Sequence, residues 1–322
     1  MSRQLVQYHP VLGHLFIPGL KVRVPHEAGG YLVQTNALGF RSRHEFAAAR
    51  TPGLRRILLF GDSFTAGDGV SNAQRYSDVL ETRLPATEVY NFGISGTGTD
   101  QQYLAWREYA RGLEADHVVI AVQPENIRRT ASAFRLNMDP AGAQVYYPKP
   151  YCTRGPGGLE WHHQPVPEGT RTAEELPEGS RADVGGRLRA SRVAVNALGV
   201  KDLVQRVTGF QPLPEYDSPD SDEWLLMREV LLTWIREVPQ PVTLFHVPLH
   251  QYVEGVADPS GVQARLREVA AEAGAAWVDP LPEILALPAE TRRGFRFAKD
   301  IHPTPAYHAC LAGALATHLA TL

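Results

Sequence analysis

The chain has 322 residues, 43% of them hydrophobic and 21% charged, with a formal net charge of -3, which suits one large domain with insertions or two small ones. Without a block of like charge it has no electrostatic footprint for nucleic acid or an anionic membrane, and no apolar run approaches the roughly 20 residues of a membrane span. The N-terminal MSRQLVQYHPVLGHLF has no apolar core or cleavage site of a secretory signal, so the expectation is a cytoplasmic protein whose two cysteines, Cys152 and Cys310, are unpaired.

Residues 1–50, rich in Pro, Gly and His, read as an irregular N-terminal arm with room for a short hairpin. Strand and helix alternate after it, over residues 51–322. RRILLFG is a continuous apolar run of the kind found in strands buried on both faces, and Tyr76, Val79, Leu80 and Leu84 follow at helical spacing. TEVYNFGISG is a second strand ending in a Gly-rich turn, DQQYLAWREYARGL a helix with Asp100 as N-cap, and DHVVIAVQP a third strand.

From about residue 138 to 219 the pattern dissolves into Gly, Pro and charge, with one helix indicated near Ser191 to Val207; this reads as an insertion or lid. Order returns with the helix SPDSDEWLLMREVLLTWIREV, the strand PVTLFHVPL, the helix GVQARLREVAAEAG with its Gly stop, and the strand AAWVDP. Last, TPAYHACLAGALATHLATL sets Leu311, Leu315 and Leu319 on one helical face. The alternation implies an α/β fold, a parallel sheet with helices on both sides.

In such a sheet, ligands gather beyond the carboxyl ends of the strands. The turns there hold Gly61, Asp62 and Ser63; Gly93, Ser95, Gly96 and Gly98; Pro124, Glu125 and Asn126; and, before the last helix, Asp300 and His302. A serine hydroxyl needs an imidazole to take its proton, the imidazole an orienting carboxylate, and the tetrahedral oxyanion two or three fixed donors. These turns can fill every role.

FGDSFTAGDGV, NFGISGTGTDQ, PENIR and DIHPTPAYH, in that order, resemble the four sequence blocks of the SGNH hydrolases, the GDSL-type esterase/lipase family. The resemblance covers about residues 55–130 and 240–320. It implies a three-layer α/β/α fold with a flavodoxin-like parallel sheet, and ester or thioester hydrolysis with no metal or other cofactor. Carried over by position, Ser63 would be the nucleophile and give its own N–H to the oxyanion, Gly96 and Asn126 would be the further donors, and His302 the base with Asp300 as its partner. The expected substrate is a carboxylic ester on a small molecule or glycan; oligomeric state is open.

Two positions depart from the family. Its third block is commonly Gly, any residue, Asn, Asp, where this chain has Pro124, Glu125, Asn126 and Ile127, and its acid often stands three before the histidine, where Lys299 lies. A Ser/His dyad oriented by a backbone carbonyl is therefore an alternative, as are an acyltransferase using the same site and an inactive carbohydrate- or partner-binding module. Simpler roles stand beside these: tight turns for Gly96 and Gly98, a helix cap for Asn126, and helix-surface solvation for Arg128 and Arg129. His246 and His250 lie at a strand exit rather than on a helix face that would hold zinc, and His162 and His163 read as a solvated loop.

Overall fold

A computed structural model describes residues 4–139, 141–184 and 211–322. The segment read as an irregular arm forms two antiparallel hairpins, β1 (Val6–His9) with β2 (Gly13–Phe16) and β3 (Lys21–Val24) with β4 (Tyr31–Gln34). Its apolar side chains Leu12, Leu15 and Phe40 are buried in the same core as the central sheet.

Five runs of apolar residues make that sheet: β5 (Arg55–Phe60), β6 (Thr87–Asn91), β7 (His117–Val122) and, past the insertion, Val242–His246 and Ala276–Val278. All pair in parallel. Numbered along the chain from β5 as first, the spatial order is 2-1-3-4-5, the flavodoxin-like arrangement. Ile57, Leu58, Leu59 and Phe60 of β5 are wholly buried, as a strand covered on both faces requires.

The helices divide between the two faces. The helix α2 (Tyr76–Arg83), which follows the single-turn α1 (Ser63–Ala66), packs on the C-terminal helix Pro305–Leu319, whose Leu311, Leu315 and Leu319 are fully buried. On the other face α3 (Thr99–Ala105) and α4 (Asn126–Thr130) pack on α5 (Asp222–Glu237), and α5 on α6 (Ser260–Ala273). Local chemistry sets their ends: Ser221 Oγ accepts from the Trp224 N–H (3.3 Å) to cap α5, and Gly274, at φ +68°, stops α6.

Asp100 is not the cap of α3. Gly98 occupies that place, and Asp100 is buried in the first helical turn, where its carboxylate accepts from Lys149 Nζ at 2.7 Å. A buried partner outcompetes the backbone amide that a cap would have satisfied.

Regular structure continues into the region where the sequence pattern fades. β8 (Phe134–Met138), β9 (Gln144–Pro148) and β12 (Ala182–Val184) form a three-stranded sheet, with β10 (Tyr151–Gly155) and β11 (Gly158–His162) as a hairpin between them in sequence. The helix expected near Ser191 to Val207 lies outside the described residues.

Candidate active site

β5 ends at Phe60, and Gly61 and Asp62 turn the chain into α1, whose first residue is Ser63. Asp62 caps this helix by accepting from the Phe64 N–H at 2.9 Å. The turn after β6 is locked to the same spot: Asn91 Nδ2 donates to the Thr65 carbonyl (2.8 Å), and a Cβ on Gly93 would lie 2.3 Å from the Ala66 nitrogen. The third turn joins them through the Thr99 N–H, which donates to Thr130 Oγ1 of α4 at 3.0 Å. Strand order reverses between β5 and β7, so these turns surround the switch point of the sheet.

Ser63, His302 and Asp300 lie in one hydrogen-bonded line. Ser63 Oγ is 3.0 Å from His302 Nε2, and His302 Nδ1 is 2.6 Å from Asp300 Oδ1. A carboxylate only accepts, so Nδ1 carries the proton and Nε2 is free to accept from the serine. The two-residue spacing serves a second contact, because Asp300 Oδ1 also accepts from the His302 backbone N–H at 3.1 Å.

Two side chains that sequence reasoning passed over flank this line. His26, just after β3, approaches the other oxygen, Asp300 Oδ2, with Nε2 at 3.2 Å, while its Nδ1 accepts from the Ala28 N–H. Asp68 places Oδ2 at 3.9 Å from His302 Nε2 and holds Ser95 Oγ on Oδ1 at 2.7 Å. Burial alone would make His302 harder to protonate, yet the Asp300 hydrogen bond and charge, with Asp68 and Asp62 behind them, raise its pKa above 6.5. Burial likewise pushes Asp300 up, and the hydrogen bonds from His302 and His26 more than reverse that, leaving it well below the usual carboxylate range.

Arg129, read from the sequence as helix-surface charge, is placed differently by the structure. It is 5% exposed rather than a solvated helix-surface residue, and its Nη1 donates to Asp62 Oδ2 (2.5 Å) and to Asn126 Oδ1 (2.8 Å). A buried guanidinium needs acceptors on its face, and Asp62 supplies the charge. Arg128, one residue earlier, does lie exposed and pairs with Glu215.

The candidate oxyanion donors differ from ordinary backbone and amide groups in being unused. Among the described residues neither the Ser63 N–H nor the Gly96 N–H donates to a protein acceptor, and Asn126 Nδ2, on a fully buried side chain, has no partner. Gly96 has φ +75°, and a Cβ there would overlap the Arg135 guanidinium that donates to its carbonyl, so a side chain is excluded twice over.

A cleft of about 590 Å³ borders Ser95 and Gly96 and is lined also by Tyr8 and His14 of the arm, Arg135 of β8 and Tyr147 of the insertion. Of the other histidines weighed from the sequence, His246 sits on Asp279 at 2.9 Å, His162 on Thr153 Oγ1, and His163 on the Lys149 carbonyl. Both cysteines are free, and no group of three or more His, Cys, Asp or Glu among the described residues could hold a metal ion.

No protein-family model and no curated protein matches the sequence. Among solved structures the chain is similar to the lipase/acylhydrolase from Enterococcus faecalis, at 15% identity over 83% of this chain and 95% of that one, with a TM-score of 0.44. A member of the lipolytic protein G-D-S-L family from Veillonella parvula matches at 12% identity over 83% and 100%, TM-score 0.42. The acetylxylan esterase from Geobacillus stearothermophilus matches at 16% identity over 82% and 94%, TM-score 0.43.

Proposed function

We propose that the chain is a serine-dependent carboxylic ester hydrolase of the SGNH type. The observation that carries this reading is the Ser63–His302–Asp300 line, with contacts of 3.0 and 2.6 Å, beside amide donors that find no acceptor among the described residues. Ser63 Oγ attacks the acyl carbon as His302 Nε2 takes its proton. The Ser63 and Gly96 N–H groups and the Asn126 amide receive the oxyanion. His302 then passes the proton to the leaving alcohol, and a water activated by the same nitrogen resolves the acyl-enzyme. Asp300 keeps the ring in the productive tautomer and stabilises the imidazolium. The substrate class is an O-acyl ester on a small molecule or glycan.

An acyltransferase on the same site is the second reading. It is favoured by the cleft beside Gly96, whose walls from the arm and the insertion could seat an acceptor in place of water.

Hydrolysis of p-nitrophenyl esters from acetyl to long-chain tests both. Wild type should turn over, fluorophosphonate should add one adduct at Ser63, and Ser63→Ala should lose the adduct and at least about 10⁴-fold in kcat. Labelling with negligible hydrolysis would favour transfer to an added acceptor. A folded protein that neither labels nor turns over would instead support the binding module.

A further inference from the structure

We propose that Arg129 is a positioning residue for the oxyanion site, fixing which end of the Asn126 amide faces the substrate; this rests on the hydrolase reading above. A primary amide presents an acceptor at one end and a donor at the other, and the two ends are nearly the same shape. Only the donor end stabilises an oxyanion, so a buried Asn free to flip would spend part of its time presenting a lone pair to the developing negative charge. The guanidinium has donors and no acceptor, so the amide oxygen is the end that can lie against it. Arg129 Nη1 meets Asn126 Oδ1 at 2.8 Å, and Nδ2 is left as a buried amide nitrogen without a protein partner.

The same nitrogen of Arg129 holds Asp62 Oδ2, and a second one lies 3.5 Å from Glu125. Asp62 in turn caps α1, the helix that begins with Ser63. One guanidinium therefore ties the turn carrying the candidate nucleophile to the turn carrying the amide donor. It also gives a physical reason for the altered third block: with Pro124 and Ile127 around Asn126, the support comes from the residue one helical turn further on.

The test uses the purified full-length chain with p-nitrophenyl acetate, reading kcat, KM, thermal midpoint and the fluorophosphonate adduct. Asn126→Ala should lower kcat by about 10²–10³-fold, the loss typical of one oxyanion donor. Arg129→Lys keeps a positive charge beside Asp62 but cannot hold both oxygens in the same geometry; it should lower kcat by about 10–100-fold with KM and midpoint near wild type. In the Asn126→Ala background the same change should cost less than about 2-fold more, since the amide it serves is gone.

Asn126→Asp provides a variant that keeps the contact to Arg129 while removing the donor. It should match Asn126→Ala in kcat whatever the added charge beside Asp62 does to the midpoint, and an Asn126→Asp protein with wild-type kcat would overturn the proposal even if Arg129→Lys unfolds. Unchanged kcat in a folded Arg129→Lys or additive losses in the double variant would each overturn it too while wild type remains active. A wild type with neither turnover nor adduct at Ser63 would remove the hydrolase reading and this one with it.

Discussion

At the scale of single residues, the proposed mechanism makes the protonation of His302 the determinant of the working pH. The imidazole must be neutral to accept from Ser63, and its pKa is raised above 6.5, so kcat/KM should fall as pH drops through that raised value. Asp300 is the larger source of the rise and Asp68 a smaller one. Asp68→Asn should therefore move the acidic limb of the pH–rate profile downward while preserving most of kcat, whereas Asp300→Asn should move it further down and cost about 10⁴-fold in kcat through the lost tautomer. A limb that stays put in Asp68→Asn would show that the carboxylate at 3.9 Å is screened from the ring.

Which residues were legible follows from how far away their partners lie. Ser63 stands in a turn announced by the apolar run before it, and Asp300 and His302 lie two positions apart in the block that resembles the family's last one, a spacing shorter than the family's usual three, so the sequence left Asp300 and a backbone-oriented dyad both open. Arg129 and His26 meet their acidic partners across 67 and 274 residues of chain. Nothing in an isolated IRRT or PHEAGG encodes such a meeting. Arg129 looked like ordinary helix-surface charge because its helix, Asn126–Thr130, is a single turn too short to display a buried face.

Among the elements, those set in the alternation of strand and helix were readable and those of the arm and the insertion were not. β5 and β7 carry continuous apolar runs, α5 a repeating apolar face, and even the three-residue Ala276–Val278 is marked by the Gly stop of the helix before it. The hairpins of the arm have strands of four residues, and β12 has three, too few for alternation to stand out from composition. Asp100 shows the other source of error: its fate was decided by Lys149, from the end of β9, which reaches α3 and is itself 5% exposed. Lys149→Met would strand that carboxylate in the interior. It should destabilise the protein by about 3–5 kcal/mol in urea unfolding, and the loss should shrink when Asp100→Asn is added, since the stranded charge is then gone.

For the whole molecule, the segments outside the family resemblance are the ones that shape the surroundings of the site. The arm supplies His26 and, with Tyr8 and His14, part of the cleft beside Gly96; Arg135 of β8 and Tyr147 of the insertion line it as well. The cleft could not be foreseen, because its walls come from residues far apart in sequence and from strands that periodicity did not reveal. Tyr147 is 46% exposed and lines it. Tyr147→Ala should leave turnover of p-nitrophenyl acetate within about 2-fold and raise KM for esters of bulky, ring-containing alcohols by about 5-fold, the loss of one aromatic contact. Equal KM values across small and bulky alcohols would place the leaving group elsewhere.

The long span between Ser63 and His302, 239 residues apart, also has a consequence for synthesis. A nascent chain can form the capped turn bearing the proposed nucleophile early. The proposed base, His302, lies in the segment leading into the helix Pro305–Leu319, and the Asp300 beside it is met by His26, 274 residues away in sequence. On the proposed mechanism, a fragment that stops short of residue 300 holds the nucleophile without Asp300 or His302 and should turn over no ester, however well its first strands have folded.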